Sequence, residues 1–187
     1  MCGFDSHTLP PVSHLRVFCL RCDYNSDMSI SELIARCISK NATLAVAESC
    51  TGGHVADLIT NIPGVSAVFT AGVIAYSRAA KITILGVPPA VLQKYGLISE
   101  ETAQAMALEM RLIAKADYAI ATTGNLGPDV LEGKQCGLVY LAVSSSTGVF
   151  SRELHLGGDR AANKHDAALA ALNLLAEVID KEPFDDR

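Results

Sequence analysis

Ser49 stands inside the run Ala47-Glu-Ser-Cys-Thr-Gly-Gly53, just past a short apolar stretch and just ahead of a glycine pair. A strand hands over to a helix at such a place. The first N–H groups of a helix have no partner within it and carry partial positive charge. A serine hydroxyl there sits beside ready-made donors for an oxyanion or a phosphate. Gly52 and Gly53 let a ligand approach the backbone closely. The same residues equally suit a plain helix start, in which Ser49 or Thr51 caps the helix and the glycines only make the turn. The run is neither a P-loop nor a G-x-S-x-G elbow.

A second segment, Tyr76-Ser-Arg-Ala-Ala-Lys81, follows another apolar stretch. A serine, a tyrosine and a lysine at the carboxyl ends of neighbouring strands make a nucleophile, a proton relay and a base. A serine hydroxyl attacks poorly until a neighbour takes its proton. Lysine takes it only where burial or nearby positive charge brings its pKa from about 10.4 toward neutrality. Read singly, the tyrosine is a rim residue at a strand end and the lysine a solvated one on a short helix. Glu48 either tunes this site or accepts backbone hydrogen bonds. Cys50 reads as small packing and His54 as a surface residue.

These residues need elements to hold them. Ser29 and Glu32 form a capping box, followed by Ile30, Leu33, Ile34, Cys37 and Ile38 along one helical face. Thr43–Ala47 reads as a strand, with a helix from Thr51-Gly52-Gly53 toward Thr60. Ala71–Tyr76 reads as a strand buried on both faces. Ser77–Leu85 and Pro88–Lys94 read as short helices. Ser99 caps a longer helix to Lys115, with Ala103, Met106, Ala107, Met110 and Ile113 facing the core. Tyr118–Thr122 is a strand, and residues 124–137 form a loop. Leu138–Ser144 and Val149–Leu156 make a hairpin. A last helix spans about Arg160–Asp180, with Leu169, Leu172, Ala176 and Ile179 on one face. Strands alternating with helices, then a hairpin, predict an α/β fold: a three-layer α/β/α sandwich around a mixed, mostly parallel sheet of about five strands.

The first 27 residues lack any sustained period. Pro10-Pro11 interrupts helix formation, and the apolar run from Val17 to Leu20 is too short to define an element. Cys19 and Cys22 have the spacing of half a zinc site, with His7 and His14 nearby but no second cysteine pair. Residues 1–27 read as an irregular arm and 28–187 as one domain. Met28, directly ahead of the capping box, offers an alternative translation start.

Composition sets the outer bounds. Half of the 187 residues are apolar and the formal net charge is −5. That excludes general disorder and argues against a nucleic-acid binder. No apolar run of about 18 residues is present to span a membrane. Six cysteines without a secretory signal read as reduced thiols of a cytoplasmic protein.

Several motifs, in one order, resemble the CinA C-terminal domain family, which includes stand-alone PncC-type nicotinamide-nucleotide amidohydrolases. They are Ala47–Gly53, Ile62–Phe69, Gly72–Ser77 with Lys81, Leu85–Val87, Tyr95–Ala103, Thr123-Gly with Gly127–Asp129, Gly137–Tyr140, and Gly158–Arg160. The resemblance covers Ser29 to Ile179. It implies hydrolysis of the carboxamide of nicotinamide mononucleotide to nicotinate mononucleotide and ammonia, in pyridine-nucleotide salvage. It implies Ser49 as nucleophile, with Lys81 accepting its proton and Tyr76 orienting or relaying. N–H groups of Thr51, Gly52 and Gly53 then stabilise the oxyanion, and Thr123, Gly124 and Arg160 contact substrate. No cofactor or metal enters that scheme. The implied partner is a small-molecule nucleotide, and the same resemblance implies a homo-oligomer, a dimer.

Arg160 and Lys134 are candidates for the substrate phosphate. Alternatively, Arg160 pairs with Asp159 or the last helix, and Lys134 is solvated. The chain departs from the family pattern at Asn125-Leu126, Val130-Leu131, Gln135 and Lys164. Lys164 takes an arginine's place and gives up its bidentate grip. These changes bear on loop shape and affinity more than on the chemistry. The nucleotide-processing domain often fused ahead of this one is not expected from 27 residues.

Overall fold

Backbone hydrogen bonding, once each cap and breaker is honoured, leaves five strands in the main body of the chain. The computed structural model describes Val17–Cys19 and residues 28–182. Helix α1 (Ile30–Ser39) starts at the predicted capping box: Ser29 Oγ accepts from Glu32 N–H, and Glu32 accepts from Ser29 N–H at 2.7 Å. Strand β2 (Leu44–Glu48), helix α2 (His54–Thr60) and strand β3 (Phe69–Ile74) follow. Helices α3 (Arg78–Thr83), α4 (Pro89–Tyr95) and α5 (Glu100–Ala114) come next, with Ser77 and Ser99 capping the first and third. Strands β4 (Tyr118–Gly124), β5 (Leu138–Ser144) and β6 (Val149–His155) precede helix α6 (Arg160–Lys181), whose cap is Asp159.

A sixth strand belongs to the region expected to be irregular. Val17–Cys19 forms β1, parallel to β6 and in register with Val149–Ser151. Three residues carry too little periodicity to announce a strand, yet the outer edge of β6 has backbone groups that need partners. The Cys22, His7 and His14 positions of the supposed half-site lie outside the described residues, as does the side chain of Cys19.

The sheet order is β1-β6-β5-β4-β2-β3. β2 is parallel to both β3 and β4, whereas β5 is antiparallel to β4 and to β6. All strands but β5 therefore run the same way. Side-chain alternation sorts the two layers. Leu44, Val46, Ile120, Val139, Leu141 and Val143 face α1, α2 and α6. Ala45, Ala47, Ala119, Ala121 and Ala142 face α5, whose Ala103, Met106, Ala107 and Met110 lie against them. A row of alanines on that face lets α5 approach the sheet closely.

Three expectations about burial change. β3 is an edge strand bonded only to β2, so its residues alternate between half-buried and exposed instead of being covered twice. Ile113 is exposed, since the helical period carries it to the margin of the α5 stripe in the final turn. Leu169 is only half-buried, while Leu172, Ala176 and Ile179 are buried as expected. No described helix is long and apolar enough to cross a membrane.

Candidate active site

After β2 the chain crosses to β3 on one side, and after β3 it returns to β4 on the other. The carboxyl end of β2 is thus a point where strand order reverses, and in open α/β sheets ligands bind in the crevice there. Ser49 is the first residue past β2. Its N–H donates to Thr122 O of β4 at 3.0 Å, and Ala75 N–H, just past β3, donates to Glu48 O at 2.8 Å. Three strand ends are locked together by these bonds.

Lys81 on α3 enters this junction from the side. Its side chain is fully buried, and Nζ lies 2.8 Å from Ser49 Oγ and 2.6 Å from Ala75 O. Burial brings its pKa from 10.5 to about 8. A lysine so placed has a neutral fraction at mild pH and is in contact with the hydroxyl it would deprotonate. The sequence pairing of Ser49 with Lys81 is therefore realised as a direct contact.

Tyr76 is not part of that contact. It is 58% exposed, and Arg160 Nη2 donates to its hydroxyl at 2.9 Å. Arg160 Nη1 donates to Gly127 O at 2.6 Å. Arg160 thus pairs neither with Asp159 nor along α6; it ties the 125–136 loop to the rim where Tyr76 stands. Lys134 makes no side-chain hydrogen bond among those described, and its charge is felt at Glu153 of β6. Lys164 fits the rim better: its Nζ lies 3.7 Å from where a Cβ on Gly52 would be.

The helix start differs from the expected anion cradle. Glu48, itself buried, accepts from Gly53 N–H at 2.9 Å, Val55 N–H at 3.1 Å and Ala56 N–H at 2.8 Å. A protein carboxylate occupies the donors that a ligand would have used. Gly53 can still cap the helix because it takes a φ of +98°. Gly52 N–H closes a turn on Ser49 O at 3.2 Å, leaving the N–H groups of Cys50 and Thr51 without a backbone acceptor among the described residues. Of the N–H groups beside Ser49, those of Gly52 and Gly53 are thus taken by Ser49 O and the Glu48 carboxylate, and those without a backbone acceptor among the described residues are Cys50 and Thr51. Thr51 is buried, and its hydroxyl shares a 2.6 Å bond with Thr122. Burial pushes the Cys50 thiol up to about 12, so it is inert packing beside the serine.

Thr123 and Gly124 end β4. Thr123 Oγ1 donates to Leu97 O at 2.7 Å, and a Cβ on Gly124 would meet Leu138 O at 2.7 Å. Both hold the walls of the crevice. Asn125 binds its own loop three times: Nδ2 donates to Asp129 O and Lys134 O, and Oδ1 accepts from Gly127 N–H. His54 bonds His165 of α6 at 3.1 Å across the helix interface. Sequence reasoning passed over Ala75, whose role is a carbonyl and so leaves no side-chain signal. It also passed over Thr122 and Glu132, which are distant in sequence from the motifs they support.

The fold and the junction define an α/β/α protein with a buried serine–lysine pair at the switch point of its sheet. A family model for the CinA C-terminal domain matches residues 27–179, and the chain belongs to that family. A protein of Acetivibrio thermocellus named as competence-damage inducible is 43% identical over 145 residues, covering 77% of this chain and 35% of its own length. One of the same name from Thermoanaerobacter pseudethanolicus is 42% identical over 152 residues, covering 80% and 37%. The chain thus spans little more than a third of these curated relatives. The crystal structure of competence damage-inducible protein A from Klebsiella pneumoniae is similar with a TM-score of 0.79 at 29% identity, covering 83% of this chain and 100% of that one. A competence/damage inducible protein from Agrobacterium tumefaciens gives 0.74 at 34% identity, covering 81% and 99%.

Proposed function

We propose that the chain hydrolyses the carboxamide of nicotinamide mononucleotide, releasing ammonia and nicotinate mononucleotide. The observation that carries this reading is the 2.8 Å contact between Lys81 Nζ and Ser49 Oγ in a buried junction. In its neutral form Lys81 takes the hydroxyl proton as Ser49 Oγ attacks the amide carbon. The oxygen of the tetrahedral adduct faces the Cys50 and Thr51 N–H groups. Lys81 returns the proton to the leaving nitrogen, which departs as ammonia. Water then attacks the ester carbon, Lys81 takes its proton, and Ser49 is regenerated with that proton as the acid leaves.

Arg160 and Lys164 supply positive charge at the rim, suited to the phosphate of a mononucleotide. Tyr76, held by Arg160, has an exposed ring beside them that suits contact with the pyridine or ribose. Incubation with nicotinamide mononucleotide should release ammonia, and Ser49→Ala should reduce that release by about a thousandfold or more. Unchanged turnover in that variant would refute the nucleophile. Calorimetric binding of the nucleotide with no ammonia from the wild type would instead select a non-catalytic nucleotide-binding role.

A further inference from the structure

Building on the serine–lysine reading above, we propose that Glu132 is a positioning residue: its carboxylate latches the 125–136 loop onto the segment before α5. Glu132 Oε2 accepts from Leu97 N–H at 2.7 Å and from Ile98 N–H at 3.3 Å. These two N–H groups belong to the approach to α5, about 35 residues earlier in the chain. The carboxylate reaches them only because residue 96 is glycine: a Cβ there would lie 2.8 Å from Glu132 Oε2. The loop itself is shaped to deliver the side chain. Leu131 and Lys134 exchange backbone hydrogen bonds, and Glu132 takes a φ of +51° at the turn between them.

The other ties show that the loop is a strap across the crevice, not a free excursion. Asn125 gathers its base, and Arg160 binds Gly127 O at one end. Thr123 Oγ1 meets Leu97 O on the same residue whose N–H Glu132 holds. Leu97 is therefore gripped on both sides, by β4 and by the loop. Two titratable groups act on Lys81 among the described residues: Cys50 from the β2–α2 turn and Glu132 from the loop. Burial keeps the Cys50 thiol neutral. Glu132 is then the negative charge that opposes the effect of burial on Lys81.

The test uses the full chain as wild type, Glu132→Gln and Glu132→Asp. Three quantities are read: amide hydrogen exchange at Leu97 and Ile98, titration of the ¹⁵N-labelled Lys81 ammonium, and kcat and KM for nicotinamide mononucleotide. In Glu132→Gln, exchange at both amides should quicken about tenfold or more, as loss of a charged acceptor implies. The Lys81 titration should move to lower pH by about a few tenths of a unit. KM should rise more than kcat falls. Glu132→Asp keeps the charge but shortens the reach, so exchange should quicken while the titration stays put. Unchanged exchange and titration in Glu132→Gln overturn the latch. If that variant does not fold, unchanged exchange in Glu132→Asp overturns it instead. Exchange and titration need no turnover, so a wild type that releases no ammonia sinks the amidohydrolase reading and leaves the latch to be judged on them.

Discussion

Lys81 Nζ donates to Ser49 Oγ at 2.8 Å and to Ala75 O at 2.6 Å, and it forms no salt bridge among the described residues. A buried ammonium with two neutral acceptors and no carboxylate in contact is poorly compensated. The same burial lowers its pKa to about 8, which on the proposed mechanism makes the amine a usable base. Stability and chemistry therefore pull in opposite directions at one residue, and the consequences can be measured.

The rate of ammonia release should climb with pH through about 8, as Lys81 loses its proton. Lys81→Arg keeps the positive charge but has no neutral form in this range. It should lower the rate by about a hundredfold or more, with no recovery as pH rises to about 10. Initial rates between about pH 6 and pH 10 check both statements.

Lys81 should also leave a signature in folding. Its pKa falls from 10.5 to about 8 in the native state. Below about 8 both states are protonated, and the cost of burying the ammonium is fully present. Between about 8 and 10.5 the unfolded chain binds more protons, so stability gains as pH rises. Relative to Lys81→Met, the wild type should gain on the order of 3 kcal/mol across that window. Urea unfolding of both proteins at three pH values measures it, and a pH-independent difference would rule it out.

Glu48→Gln should destabilise the fold by about 2–3 kcal/mol. The carboxylate accepts three N–H groups at the start of α2, and an amide has one oxygen to offer them. Because Ser49 is the next residue, turnover should fall as well. Denaturant midpoints and ammonia release, measured on the same preparation, check the pair of effects.

Tyr76 and Arg160 should behave as one unit. The 2.9 Å bond joins them, so Tyr76→Phe and Arg160→Ala remove the same interaction. A double-mutant cycle on kcat/KM should return a coupling of about 1 kcal/mol. Strict additivity would show that the two side chains act separately, with Tyr76 released from Arg160 when substrate is present.

Much of the fold is legible in local chemistry. The Ser29, Ser77 and Ser99 caps start α1, α3 and α5, and Gly96 ends α4, because capping is decided within a few residues. Burial is less legible. The β3 run reads as apolar throughout, but its coverage depends on where it falls in the sheet, and it falls at the edge. β1 escaped notice because it exists only through its pairing with β6.

The sequence by itself determined most of the elements, the α/β class, and a serine and a tyrosine just past strands with a lysine on the helix that follows, since these rest on residue type and short spacing. Only the tertiary structure decided which of them meet. It brought Lys81 to Ser49, gave Tyr76 to Arg160, and spent the helix N–H groups on Glu48. The reason is physical. Hydrogen bonds and pKa shifts depend on distance and burial across strands far apart in the chain, and no local pattern carries that information.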